Sequence, residues 1–443
     1  MPNLNYSQKA ISSLLFLFSA IIPAAIIPLL NGDRDLIIEI TFSILLIESA
    51  VFMIVVPGIF GKLYYLFSYI FFAITPWLQF KNAIIFWGFP SIENATYVEI
   101  NFILIVLNLF YFISYLYGKK RGLKNNSDPS PIFIIKKDQF CLLCIISLLS
   151  GFVTLYLANF NIENLVFRNS YAERVALSQT ESLLLLPVYF LPFISLSFYL
   201  ANFKKTTFKI LILTLPTILF LFPTSLPRNF AALIYMTLML IIFKRLVIGN
   251  RLPFFVLFGL VIIFPFLDNF RFYESNEFEL LPSYDYFLAP HFDSYQSFAI
   301  VYQHKIITFG YQLLGPLLFF IPRIFWGDKP IGSGHYVAHQ FELPFTNISS
   351  NIYAEAYINF GLIGCVIFAL AIGFFSGKFS SLLLEKTVLT PQKIILYGLA
   401  SYYIYFLRGD LMSPVAYFSA FVFSVYLCWF VLNYLDTKNN TQS

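Results

Sequence analysis

The sequence predicts an all-α, polytopic integral membrane protein, and three observations carry that prediction. Apolar residues run in unbroken stretches, several near the roughly 20 residues that a helix needs to cross a bilayer. Charged residues make up only 12% of the chain, about half the share usual in soluble domains. The apolar runs are continuous, whereas the strands of an outer-membrane barrel alternate in polarity. A mean hydropathy of +0.76 leaves almost nothing for a separate soluble domain.

Taken in order, spans are expected near 11–30, 36–57, 63–80, 97–117, 139–158, 183–202, 206–223, 229–243, 253–268, 356–376, 392–407 and 411–432. The first run is long enough to stay as a helix, so no cleavable signal is expected. This divides the chain into nine membrane helices in 1–268, a large loop in 269–355, and three more helices with a short tail in 356–443. Basic residues set the orientation. Lys119, Lys120, Arg121, Lys136, Lys137, Lys205, Lys244 and Lys378 share one side if about twelve spans alternate. Both termini are then cytoplasmic and the late loop lies outside. The apolar run 311–324 is short and holds Pro316 and Pro322. Counting it as a span would put Lys378 on the wrong side, so it reads as a re-entrant or interfacial helix. Cys141, Cys144, Cys365 and Cys428 fall in apolar runs and read as buried, inert thiols. Glu48 lies mid-span, where a bare charge is expensive, and a structural ion pair is its expected role.

Under this topology the outside basic residues are Arg34, Lys81, Arg168, Arg174, Arg228, Arg271, Lys305, Arg323, Lys329 and Arg408, out of 28 in the chain. Lysine dominates inside, arginine outside. Topology needs only positive charge, but a guanidinium offers a planar fork suited to bidentate binding of phosphate. The excess therefore points to an external anion site. Arg228 opens a helix, where the dipole also favours an anion. Arg271 and Arg408 stand at helix ends, and Arg168 and Arg174 lie in the loop before the sixth span. All of these are expected to converge at the outer membrane surface, unless each pairs with a carboxylate such as Asp293 or Glu355. Lys329 would supply a point charge, and Trp326 an apolar face for a sugar ring or lipid. Asp293, His335, His339 and Glu355 are the candidates for a general base. No phosphate-cradling glycine loop is present, which argues against a nucleotide-driven pump or a cytoplasmic nucleotide-sugar enzyme.

Pro322-Arg323 followed by Trp326, Asp328-Lys329-Pro330 and Ser333-Gly334, with the later Glu355 and Asn359-Phe360-Gly361, resembles the Wzy-type polymerases of O-antigen and related bacterial polysaccharides. Asp293-Ser294-Tyr295-Gln296 and Arg408-Gly409-Asp410 are similar to secondary elements of that pattern. The resemblance extends to the topology of about a dozen spans with one large late loop.

What it implies is a bundle like those of the GT-C membrane glycosyltransferases, in the inner membrane of a Gram-negative bacterium, with the loop periplasmic. The substrates would be undecaprenyl-pyrophosphate-linked oligosaccharides, one as donor and one as acceptor. A chain-length regulator and a flippase would be partners, and nucleic acid would not. Pyrophosphate is a good leaving group, so neither metal nor other cofactor is expected. Arg323, Arg271, Glu355 and His339 would carry catalysis. Arg168, Arg174, Arg228, Trp326, Lys329, His335, Asp293 and Arg408 would bind substrate. Two alternatives stand. The O-antigen ligase pattern fits His339-Gln340 with Tyr353, but Ser350 stands where that pattern has glycine. A lipid-linked oligosaccharide flippase or other transporter is the other, although the chain shows no pair of related halves.

Overall fold

The computed structural model describes residues 12–122, 134–166, 179–202, 205–259, 287–384 and 390–441. Every regular element among them is helical. Eight helices are long and apolar enough to cross a membrane: α1 (Ser12–Leu29), α2 (Leu36–Val55), α3 (Ile59–Lys81), α4 (Asn94–Gly122), α5 (Lys137–Leu157), α6 (Glu181–Ala201), α13 (Ile352–Leu384) and α15 (Met412–Tyr434). The protein is membrane-embedded. Two shorter apolar helices follow α6, namely α7 (Thr207–Phe220) and α8 (Arg228–Ile242). Next comes α9 (Arg251–Phe258). The late loop contributes α10 (Ser294–Gln303), α11 (Tyr311–Leu317) and α12 (Ser333–Gln340). Between α13 and α15 lies α14 (Pro391–Arg408), 18 residues long and rich in tyrosine. Of the twelve expected spans, α7, α8 and α14 fall short in length or apolarity, and 260–268 of the ninth lies outside the described residues.

Burial explains the arrangement. Helix α3 is enclosed almost completely, with α2, α13 and α14 packed around it. Helices α4 and α13 form the most extensive pair among the described residues. Helix α6 gathers α5, α7 and α15 into a second group, and α14 joins α3 to α8 and α15. Local chemistry sets several ends. Asp35 caps α2, its Oδ1 accepting from Ile37 N at 3.0 Å and Ile38 N at 3.3 Å. Lys81, buried at the end of α3, pairs with Glu39 of α2. Among the described residues no cation pairs with Glu48. Its Oε2 accepts from Asn108 Nδ2 at 3.1 Å, so the expected ion pair is replaced by a hydrogen bond. Cys365 and Cys428 are buried as expected, but Cys141 is exposed on α5.

The helix that positions the late loop is α13, because it is broken. Phe360 and Gly361 leave helical geometry, and Gly361 sits at φ 62°, ψ −152°, a region closed to side chains bearing a Cβ. The break exposes the Ile358 carbonyl, which accepts from Thr308 N at 2.6 Å and Thr308 Oγ1 at 3.0 Å. Asn359 Oδ1 accepts from Leu313 N at 2.8 Å. The chain entering α11 is thereby stitched to the kink. Seven residues of helix rise only about 10 Å, and α11 packs on α13 and α15.

Contacts divide the loops into two ends. At one end Asp33 N donates to Lys81 O, Gln79 to Phe292 O, Gln303 to Ser91 O and Arg408 to His291 O. At the other, Tyr115 reaches Pro57 O, Lys62 reaches Asn250, and Ser381 reaches Lys119 O. Ser91 and Asp328 are exposed at the first end and Lys120 at the second. Single cysteines at Ser91 and Asp328 are therefore expected to react with an impermeant maleimide from one side of the membrane, and one at Lys120 from the other. Labelling of Ser91 and Asp328 from opposite sides would overturn this grouping.

Candidate functional site

At the loop-bearing end a cavity of about 740 Å³ opens between the 319–332 turn, the start of α12, residues 346–348 and the tight link from α14 to α15. Arg323, Lys329 and His335 line it, and Asp410 faces them. Leu183 at the start of α6, Ile324 and Met412 give it apolar wall. Polar and apolar lining meet where two spanning helices begin.

The turn is held by its own cations. Arg323 Nη1 donates to Lys329 O at 2.8 Å and Nη2 to Pro330 O at 3.3 Å. Lys329 Nζ donates to Phe319 O at 2.6 Å and Ile321 O at 2.9 Å. These bonds fix both side chains at the cavity wall. They occupy two of five guanidinium N–H groups and two of three ammonium N–H groups. Burial, and then Arg323 beside it, push the Lys329 amine below its ordinary value. Tyr311 OH donates to Asp328 O at 2.5 Å and ties the turn back to α11. Trp326 stands half-buried outside the cavity lining, its carbonyl accepting from Lys329 N at 3.2 Å.

His335 and His339, one helical turn apart on α12, bring their Nε2 atoms to 3.0 Å, so one donates while the other accepts. Only His335 lines the cavity; His339 is exposed behind it. Glu355 is buried, with Oε2 accepting from Ser333 Oγ at 2.8 Å and Oε1 from Leu411 N at 3.0 Å. It braces α12 and the 408–412 link against α13. Asp410 is half-buried, and its Oδ1 accepts from Ser413 N at 3.4 Å at the start of α15. Burial pushes its carboxyl above the ordinary value, while the N–H groups of Ser413 and Met412 and the His335 ring pull it down.

Of the arginines expected to converge, Arg228 and Arg408 both come close to His291. Arg408 donates through Nε to His291 O at 2.9 Å and through Nη2 to Asp293 Oδ1 at 3.3 Å. Asp293 also accepts from Ser349 Oγ at 2.5 Å, Ser349 N at 3.2 Å and Trp87 Nε1 at 2.8 Å. Both expected to bind substrate, these two residues bind each other and pin the loop to α14. Arg228 belongs to the same group. Burial, then Arg228, then Arg408 push the His291 imidazole down to about 3, so this ring stays neutral. Arg168, Arg174 and Arg271 lie outside the described residues.

Sequence reasoning missed Asp410, Leu183 and Met412 as cavity lining. The usable signal for Asp410 was an acidic residue in a two-residue turn between apolar runs, a position where a helix cap is forced to the membrane surface. No protein-family model, curated protein or solved structure matches the chain.

Proposed function

We propose that the protein joins oligosaccharide repeats carried on undecaprenyl pyrophosphate, acting as a polysaccharide polymerase. The observation that carries this reading is the meeting of Arg323 and Lys329 with an apolar wall in one cavity at the end of spanning helices. An anionic headgroup on a lipid tail needs that combination. In this reading the loop-bearing end faces the periplasm of a Gram-negative inner membrane, and both termini are cytoplasmic.

The reaction forms a bond from the acceptor's hydroxyl oxygen to the donor's anomeric carbon. The bond from that carbon to phosphate breaks, and undecaprenyl pyrophosphate leaves with the electron pair. The spare N–H groups of Arg323 and Lys329 neutralise charge growing on the leaving oxygens, fixed in advance by the turn. Holding two lipid-borne substrates together supplies the rest.

Deleting the gene and running the surface polysaccharide on a gel tests the reading. Lipid A-core bearing a single repeat is the expected result. Bare core would favour a ligase, a reading to which the contact of His339 with His335 lends some support. Repeat accumulating in the cytoplasmic leaflet would favour a flippase. At the level of binding, removing one charge-assisted contact costs roughly 1.5–3 kcal/mol, or about 10- to 150-fold. Arg323→Ala is expected to weaken binding of the lipid-linked repeat in nanodiscs by about that factor. Wild-type affinity in this variant would refute the assignment of Arg323.

A further inference from the structure

Four of the carboxylates at this end of the bundle differ in how far they are committed. Asp293 accepts from four donors, Arg408 among them. Glu355 is buried with both oxygens engaged, one by a hydroxyl and one by a backbone N–H. Asp328 is exposed on the turn and stands outside the cavity lining. Asp410 alone of the four lines the cavity, together with Arg323, Lys329 and His335. Its Oδ1 accepts from Ser413 N at the start of α15, where the Met412 N–H also acts on the carboxylate. Its Oδ2 is turned to Gly332, where a Cβ would stand only 2.2 Å away, so a glycine is needed for the carboxylate to sit there.

We propose that Asp410 accepts the proton of the attacking acceptor hydroxyl, and that His335 relays that proton to solvent. The proposal rests on the reading of the protein as a glycosyltransferase and adds to it the identity of the base. As the new oxygen–carbon bond forms, the hydroxyl proton passes to the Asp410 carboxylate. The electron pair of the broken carbon–oxygen bond leaves with pyrophosphate. Asp410 then returns to its ionised form by giving the proton to His335, whose Nε2 meets that of His339 at the exposed face of α12. A carboxyl raised by burial is a stronger base than an exposed one, which suits this step. The groups facing it are His335 on α12, Glu355 on α13 and Tyr405 on α14, with Arg323 and Lys329 across the cavity.

The competing role for Asp410 is purely structural, as the cap of α15. Asparagine and serine cap helices about as well as aspartate but do not take a proton at neutral pH. Asp410→Asn and Asp410→Ser are therefore compared with wild type for chain extension and for binding of undecaprenyl-pyrophosphate-linked repeat. The expected result is a fall in turnover of about 100- to 10,000-fold in both, with donor affinity within about threefold of wild type. The acidic limb of the wild-type rate profile should lie above the ordinary carboxylate value of 3.8 and disappear in Asp410→Asn. Wild-type turnover in either variant overturns the assignment of the base and leaves the glycosyltransferase reading standing. Loss of donor binding together with turnover in both variants makes Asp410 a structural residue and also overturns it. A wild-type protein that neither binds the donor nor extends it removes the glycosyltransferase reading, and this assignment with it.

Discussion

Asp293→Ala is expected to destabilise the folded protein by about 3–5 kcal/mol, the range seen when one partner of a buried ion pair is removed. The carboxylate is nearly inaccessible and accepts from Arg408, Trp87 Nε1, Ser349 N and Ser349 Oγ. Truncation leaves one arm of the Arg408 guanidinium, an indole N–H and a backbone N–H without their acceptor. Asp293→Asn, which keeps an acceptor, should lose less. Thermal challenge followed by size-exclusion chromatography in detergent reads the difference. The same experiment separates two roles for Arg408. If it serves Asp293, Arg408→Ala will also lose stability, and the double variant will lose less than the sum of the two singles. If it serves the substrate, Arg408→Ala will keep the wild-type melting behaviour and lose only activity. Additive losses in the double variant would sink the pairing argument.

That pairing shows why the sequence was legible in some places and opaque in others. Spans such as Leu36–Val55 and Asn94–Gly122 are written in local hydropathy, because each must satisfy the membrane by itself. Arg323, Lys329 and His335 were readable as one group because they fall within thirteen positions of a single polar stretch. Arg408 and Asp293 are 115 positions apart, and Trp87 and Asp293 are 206 apart. Nothing local marks them as partners, so the sequence left open whether Arg408 binds an anion or pairs with a carboxylate such as Asp293. Glu355 was singled out as a catalytic residue, but its contacts depend on Ser333 and Leu411 arriving from two other elements. Asp410 was passed over because a cap looks the same in sequence whether or not a cavity opens beside it.

One motif that was legible went unread, and it carries the last large effect. Gly373-Phe374-Phe375-Ser376-Gly377 on α13 faces Gly118-Lys119-Lys120-Arg121-Gly122 on α4, two small-xxx-small stretches of the kind that let helices touch backbone to backbone in a membrane. A Cβ on Gly377 would stand 2.0 Å from Tyr115 O, and one on Gly118 would stand 1.9 Å from Phe374 O. Both obstacles are backbone atoms, which cannot turn aside as a side chain can. Gly377→Leu must therefore push the two helices apart along the most extensive pair in the bundle. The cost should reach or exceed the ~1–3 kcal/mol of ordinary overpacking, with Gly377→Ala smaller but in the same direction. Gly327, around whose Cβ position nothing lies within 4 Å, supplies the control, and Gly327→Ala should melt like wild type. Fluorescence-detected size exclusion of the expressed variants measures all three. The loss should also reach the site, because the other end of α13 holds Glu355 and the kink on which the late loop is stitched. Gly377→Leu is thus expected to lose fold and donor binding together, whereas Arg323→Ala loses binding alone. A Gly377→Leu protein that is monodisperse at wild-type yield would mean that α4 and α13 do not meet in this register.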